Sequence, residues 1–170
     1  MSGLVLRDAR DDEREVIREV TLAAYAELAS VMEPGAWAGL DGAVRGALDA
    51  EGPGVERIVA ERAGEVVGSV MLYHPAADAY GGAVKRASWP ELRVLAVSPA
   101  ERGAGVGQAL VDECVRRARR MGASDLGLHT SHSLRAAVRM YERMGFVRAP
   151  EYDFRPGGAE LVMAYRLPLG

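Results

Sequence analysis

The passage from Pro90 to Gly122 narrows the folds open to this chain more than any other. Residues 90–97, PELRVLAV, are apolar and β-branched enough for a buried strand, and SPAERGAGVG follows as a glycine-rich turn. Val106, Leu110, Cys114, Ala118 and Met121 then mark one face of a helix, which Gly122 caps. A strand that passes through a tight turn into a helix calls for a crossover to another strand, so hairpins alone cannot build the sheet.

The remaining elements fit around that unit. Residues 4–6 form a short strand, and Val16, Val20, Ala24 and Leu28 recur at spacing four behind the acidic Asp8 and Asp11, the pattern of an amphipathic helix. Residues 35–50 read as a weaker, glycine-punctuated helix that Gly52-Pro53-Gly54 ends. Residues 55–63 and 65–73 meet at Gly64 as an antiparallel hairpin, and 74–88 form a loop. Residues 125–130 are a strand, 133–144 a helix stopped by Gly145, and 146–154 and 160–167 the closing strands. The order β, α, α, β, β, β, α, β, α, β, β predicts one α/β domain over residues 1–170, with a mixed, mainly antiparallel central sheet flanked by helices.

Composition removes several functions. With 49% hydrophobic and 26% charged residues in a chain of 170, there is apolar material for one core, and no second domain is expected. The 21 basic and 24 acidic residues give a net charge of −3, without the basic footprint of a dedicated nucleic-acid binder. No run of about eighteen apolar residues occurs, so neither a signal peptide nor a membrane span is expected, and the reading is a cytoplasmic protein. A single cysteine, Cys114, allows no intrachain disulfide and sits on the apolar helix face, as a small core residue would. His129 and His132 have no further ligand cluster nearby, so no metal is expected. Arg116, Arg117, Arg119 and Arg120 end a helix, where cations complement the dipole and face solvent.

The turn carries the chemistry. Arg102-Gly103-Ala104-Gly105-Val106-Gly107 places three glycines where backbone N–H groups at a helix N-terminus can approach an anion, although glycines that serve only the turn's backbone angles would look the same. Gln108 and Ala109 stand where a P-loop needs Lys and Ser or Thr, and the G-x-G-x-G spacing is not that of a dinucleotide fingerprint.

ELRVLAVSPAERGAGVGQALV resembles the acyl-CoA-binding motif of the GNAT superfamily of N-acetyltransferases, with Arg102, Gly105 and Gly107 at its matching positions. RAAVRMYERMGF at 135–146 resembles the second signature of that family, and the likeness extends over about residues 4–167. The resemblance implies acetyl-CoA as cosubstrate, held by the backbone of Leu95, Ala96 and Val97 along its pantetheine arm and by the amides from Gly103 to Gly107 at its pyrophosphate. It further implies direct attack of a primary amine on the thioester in a ternary complex (an acyltransferase of EC 2.3.1 type), with Tyr141 also at the cofactor. Many members carry Asn where this chain has Leu134, so Ser131 or Ser133 is a candidate for the missing polar contact.

Acyl transfer needs a neutral amine, and an alkyl ammonium of pKa near 10.4 is only about one part in a thousand neutral at pH 7.4. Glu91, six residues before Val97, matches a position at which some family members place a general base; a strand carboxylate paired with Arg93 is the competing reading. Tyr141 matches the recurrent tyrosine that protonates the leaving thiolate, yet it shares a face with Leu134, Ala137 and Val138 and could be core.

The acceptor is not encoded in any motif. By resemblance it is enclosed by residues 25–37 and loops such as 73–89, making Tyr25, Glu27, Met32, Glu33 and Trp37 candidate contacts for a small-molecule amine or a peptide or protein amine. A homodimer is left open. The rival to an enzyme is a CoA-binding sensor or interaction module of the same fold that has lost its chemistry.

Overall fold

The computed structural model describes residues 3–75, 87–156 and 160–170. The elements are β1 (Leu4–Asp8), α1 (Arg14–Ala26), α2 (Pro34–Leu48), β2 (Val55–Arg62), β3 (Glu65–Tyr73), β4 (Glu91–Val97), α3 (Val106–Arg120), β5 (Asp125–Thr130), α4 (Arg135–Arg143), β6 (Val147–Arg148) and β7 (Met163–Pro168). They form one seven-stranded sheet in the order β1-β2-β3-β4-β5-β7-β6. The β4–β5 pair is parallel and the other neighbours antiparallel, the mixed, mainly antiparallel sheet that the hairpin and crossover patterns predict.

Strand alternation sorts the apolar residues onto two faces. Ile58, Val70, Leu72, Leu92, Leu126 and Leu128 point to the side covered by α3 and α4, where they pack with Leu110, Val111, Cys114 and Tyr141. Val59, Met71 and Tyr73 point to the opposite side, against Ile17 of α1 and Val44, Ala47 and Leu48 of α2. Ile58, Leu72, Leu110 and Leu126 are completely buried, each stabilising the fold by roughly 1.5–3 kcal/mol relative to exposure.

Two irregularities in β4 open the sheet. Met71 pairs with Arg93 and Ser69 with Ala96, so three steps on β4 span two on β3, and Val94 absorbs the extra residue at φ 54°. A β-branched residue in that region is strained, and the packed strands around it hold it there. On the other edge, β4 and β5 share the single register pair Glu91↔Gly127, with Gly127 N–H donating to the Pro90 carbonyl at 2.9 Å. Beyond it the two strands diverge as a wedge.

The closing region differs from the sequence reading. Residues 146–154 predict one strand, whereas β6 spans two residues, a 3-10 turn covers Pro150–Tyr152, and Phe154 makes an isolated bridge to Val162. Pro150 cannot donate to a ladder, which ends the strand before it. Arg117 also departs from the reading of a solvated helix end. It is only 9% exposed and binds Glu113, Asp8 and Glu56, tying α3 to β1 and β2. Most of the loop predicted at 74–88 lies outside the described residues.

Candidate active site

The divergence of β4 from β5 produces a cleft of about 840 Å3, bounded by β4 from Leu92 to Val97, His129 and Thr130 of β5, the start of α3, one side of α4 and the end of α1. Its backbone character follows from the fold. Past Glu91, no strand among the described residues pairs with the β5-facing edge of β4, so Leu95, Ala96 and Val97 line the cleft with main-chain groups directed toward it.

At one end stands the glycine turn. Gly105 is the N-cap of α3 in the left-handed region at φ 82°, Gly103 has φ 78°, and no side chain caps the helix. The first amide with a helical acceptor is that of Ala109, bonded to the Gly105 carbonyl at 3.0 Å, which leaves Val106, Gly107 and Gln108 N–H without one. The first turn carries no acidic residue, so the positive end of the helix is not neutralised. A Cβ at Gly103 or Gly105 would meet nothing within 4 Å, so both glycines border open space. Uncapped amides beside open space suit a phosphate group. Arg102 also lines this end, with its guanidinium on the Glu27 carboxylate and 3.3 Å from the Ala24 carbonyl.

Glu91 stands at the apex of the wedge. Its Oε2 lies 2.8 Å from His129 Nδ1, while His129 Nε2 lies 2.9 Å from the Tyr152 carbonyl. The His129 side chain is 5% exposed. Burial works against its charge, but hydrogen bonding to Glu91, the attraction of that carboxylate and the bond to the Tyr152 carbonyl outweigh it, and the imidazole pKa is raised above its ordinary value. Trp89 supports this corner: its indole packs edge-on to Tyr152 and against Gly127, where a Cβ would come within 2.5 Å of Nε1. Only glycine fits there.

Tyr141 of α4 reaches the cleft from the opposite side, packed at 5.5 Å against Phe146. It is 5% exposed, and burial, reinforced by the proximity of Tyr25 and Cys114, pushes its phenol far up, so it keeps its proton at any ordinary pH. Tyr25 of α1 also lines the cleft, with its phenol pushed up to about 12 by burial.

Several residues singled out from the sequence therefore meet in one cleft: Leu95, Ala96, Val97, Arg102, Gly103, Gly105, Val106, Gly107, Tyr25, Glu27 and Tyr141. Glu91 joins it through His129. Ala104, Met32 and Trp37 are not part of its lining, and Glu27 faces Arg102 at the glycine-turn end. Trp89, Thr130 and Tyr152 went unnoticed in the sequence, where nothing but their neighbourhood to strand ends could have marked them. His132 is exposed and pairs with Glu160 at 3.1 Å.

Residues 19–146 match the model of the acetyltransferase (GNAT) family. A mycothiol acetyltransferase of Propionibacterium freudenreichii is 32% identical over 144 residues, covering 85% of this chain and 43% of that protein. The chain thus spans less than half the length of that curated relative. A GCN5-related N-acetyltransferase structure from Rhodopseudomonas palustris superposes with a TM-score of 0.73 at 21% identity, covering 99% of this chain and 98% of that one. The structure of a Salmonella typhimurium protein with its cofactor acetyl-CoA superposes with a TM-score of 0.67 at 19% identity, covering 99% and 95%. With more than half of its length matched by the family model, the chain belongs to the GNAT acetyltransferase family.

Proposed function

We propose that this protein is an acetyl-CoA-dependent N-acetyltransferase acting on a primary amine by direct attack in a ternary complex. The observation that carries the reading is the wedge between β4 and β5, which has phosphate-seeking amides at one end and a carboxylate–imidazole pair at its apex, with a buried phenol on the wall between. When bound, acetyl-CoA supplies a thioester whose acyl carbon an amine can attack.

The chain's own residues would do the rest. The amides of Val106, Gly107 and Gln108 hold the pyrophosphate at the positive end of α3, with Arg102 adjacent. The free edge of β4 from Leu95 to Val97 binds the pantetheine arm in strand fashion and donates to the developing oxyanion near Val97. Glu91 accepts the proton of the incoming amine, directly or through water, while His129 fixes one of its carboxylate oxygens. Tyr141 donates to the departing thiolate. The neighbouring Cys114 shows how these surroundings treat a thiol, since burial pushes its pKa to about 12. A thiolate leaving in such a place is more basic than in water, which favours its protonation as it departs.

The test is release of free CoA thiol from acetyl-CoA with a panel of small amines, peptide N-termini, lysine peptides and the acceptor of the mycothiol acetyltransferases it resembles. Acceptor-dependent thiol release supports the reading. Tight acetyl-CoA binding without release for any amine would instead identify a binding module that has lost its chemistry.

A further inference from the structure

Along β5 the side chains of Leu126, Leu128 and Thr130 alternate onto the α3 and α4 side of the sheet, where both leucines are core. Thr130 ends the strand at the mouth of the wedge and lines the cleft. It is 5% exposed, and its Oγ1 has no hydrogen-bond partner among the described residues. Of the hydroxyls beside it, Ser133 Oγ donates to Glu160 at 3.0 Å, and Ser131, whose Oγ accepts the Ser133 N–H at 3.1 Å, is not part of the cleft lining. Leu134, four residues on, offers the cleft only methyl groups.

A buried hydroxyl without a partner destabilises the chain that carries it, and valine would fill the same volume without that cost. At a cleft wall the hydroxyl gains a role only if a ligand completes its bonding. We infer that Thr130 Oγ1 is a binding group for the cosubstrate, pairing with an amide of the acyl-carrying pantetheine arm where the arm passes between β4 and α4. The inference rests on the reading that acetyl-CoA occupies this cleft. It assigns to Thr130 the polar contact that Leu134 does not offer, with Ser133 turned to Glu160 and Ser131 outside the cleft lining.

Calorimetric titration of wild type, Thr130→Val and Thr130→Ser with acetyl-CoA, pantetheine and adenosine 3′,5′-bisphosphate tests it. Thr130→Val should weaken acetyl-CoA and pantetheine by the same factor, roughly three- to tenfold, the range of one neutral hydrogen bond. The bisphosphate lacks the arm and should bind both proteins alike. Thr130→Ser should keep wild-type affinity, and the ligand-free Thr130→Val protein should melt at or above the wild-type temperature. Unchanged acetyl-CoA affinity in Thr130→Val would overturn the inference, leaving water as the partner of the hydroxyl. So would a lowered melting temperature with equal losses for all three ligands, which is the mark of a structural residue. Failure of the wild-type protein to bind acetyl-CoA would appear before any variant is compared and would sink the proposed function itself.

Discussion

Glu91 and His129 face each other across the only register pair joining β4 to β5, Oε2 to Nδ1 at 2.8 Å, while the Tyr152 carbonyl sits 2.9 Å from the other ring nitrogen. Both nitrogens therefore meet acceptors, and only the doubly protonated ring can donate to both. Its raised pKa carries a stability consequence. A histidine whose folded pKa lies above its unfolded value of about 6.5 contributes stability in full below that pH and loses it as pH rises through the folded value. Wild type should therefore lose stability relative to His129→Gln between about pH 6 and the alkaline side of that raised value. Urea unfolding of both proteins across the pH range reads this directly, and a difference that stays constant with pH would show that His129 does not carry the charge.

The same pair makes a kinetic prediction for Glu91. If its carboxylate takes the amine proton, Glu91→Gln should reduce turnover by the order of 10²–10⁴ at low pH, where little neutral amine exists, and by less as the amine deprotonates in solution. Acetyl-CoA affinity should hold if the amides of the glycine turn, at the far end of the cleft, hold the cofactor as proposed. Rate–pH profiles for both proteins with one amine decide it; a pH-independent loss assigns Glu91 to structure.

Much of this was legible along the chain because it is local. The strand–turn–helix at 90–122 announces itself through glycines and a spacing-four apolar face, and the hairpin at Gly64 through its turn. Tyr141 was legible both as a motif tyrosine and as a candidate core residue of an amphipathic face, but the neighbours that bury it, from α3 and Phe146, were not. The Glu91–His129 contact depends on the β4–β5 register, which a parallel crossover does not encode in nearby residues. The inward turn of Arg117 needs Asp8 and Glu56, far away in sequence, and from the helix alone it looks like any other cation near a C-terminus. The Val94 bulge likewise has no local mark, as a β-branched residue is the last one expected at positive φ.

Gly107 offers a cleaner test of the turn than Gly105. At Gly105 any side chain is strained by φ 82°, so Gly105→Val would mix about 1–2 kcal/mol of backbone cost with any effect on binding. Gly107 has no positive φ, and a Cβ there would sit 3.6 Å from Val97 Cγ2 and 3.7 Å from Met140 Sδ, ordinary contact distances. The fold does not need glycine at this helical position, where alanine is favoured by roughly 0.5–1 kcal/mol. If the turn holds the pyrophosphate as proposed, Gly107→Ala should melt no lower than wild type yet bind acetyl-CoA more weakly, because the methyl group would intrude where the arm and pyrophosphate approach the amides. Calorimetry alongside thermal melting checks it, and unaltered affinity would mean that the glycine is incidental.

Tyr141 separates packing from chemistry at a single oxygen. Its ring is held by Phe146 and the α3 core, whereas its hydroxyl has no hydrogen-bond partner among the described residues. Tyr141→Phe keeps every ring contact and removes a group the fold does not use, so the melting temperature should stay at or slightly above that of wild type. If the hydroxyl protonates the thiolate, turnover should fall by the order of 10²–10⁴ while acetyl-CoA affinity changes little. A thioester with a more acidic leaving thiol needs the proton less and should recover part of that loss. Near-normal turnover of Tyr141→Phe with acetyl-CoA would show that the buried phenol is core alone, and the proton would then have to come from water or another group.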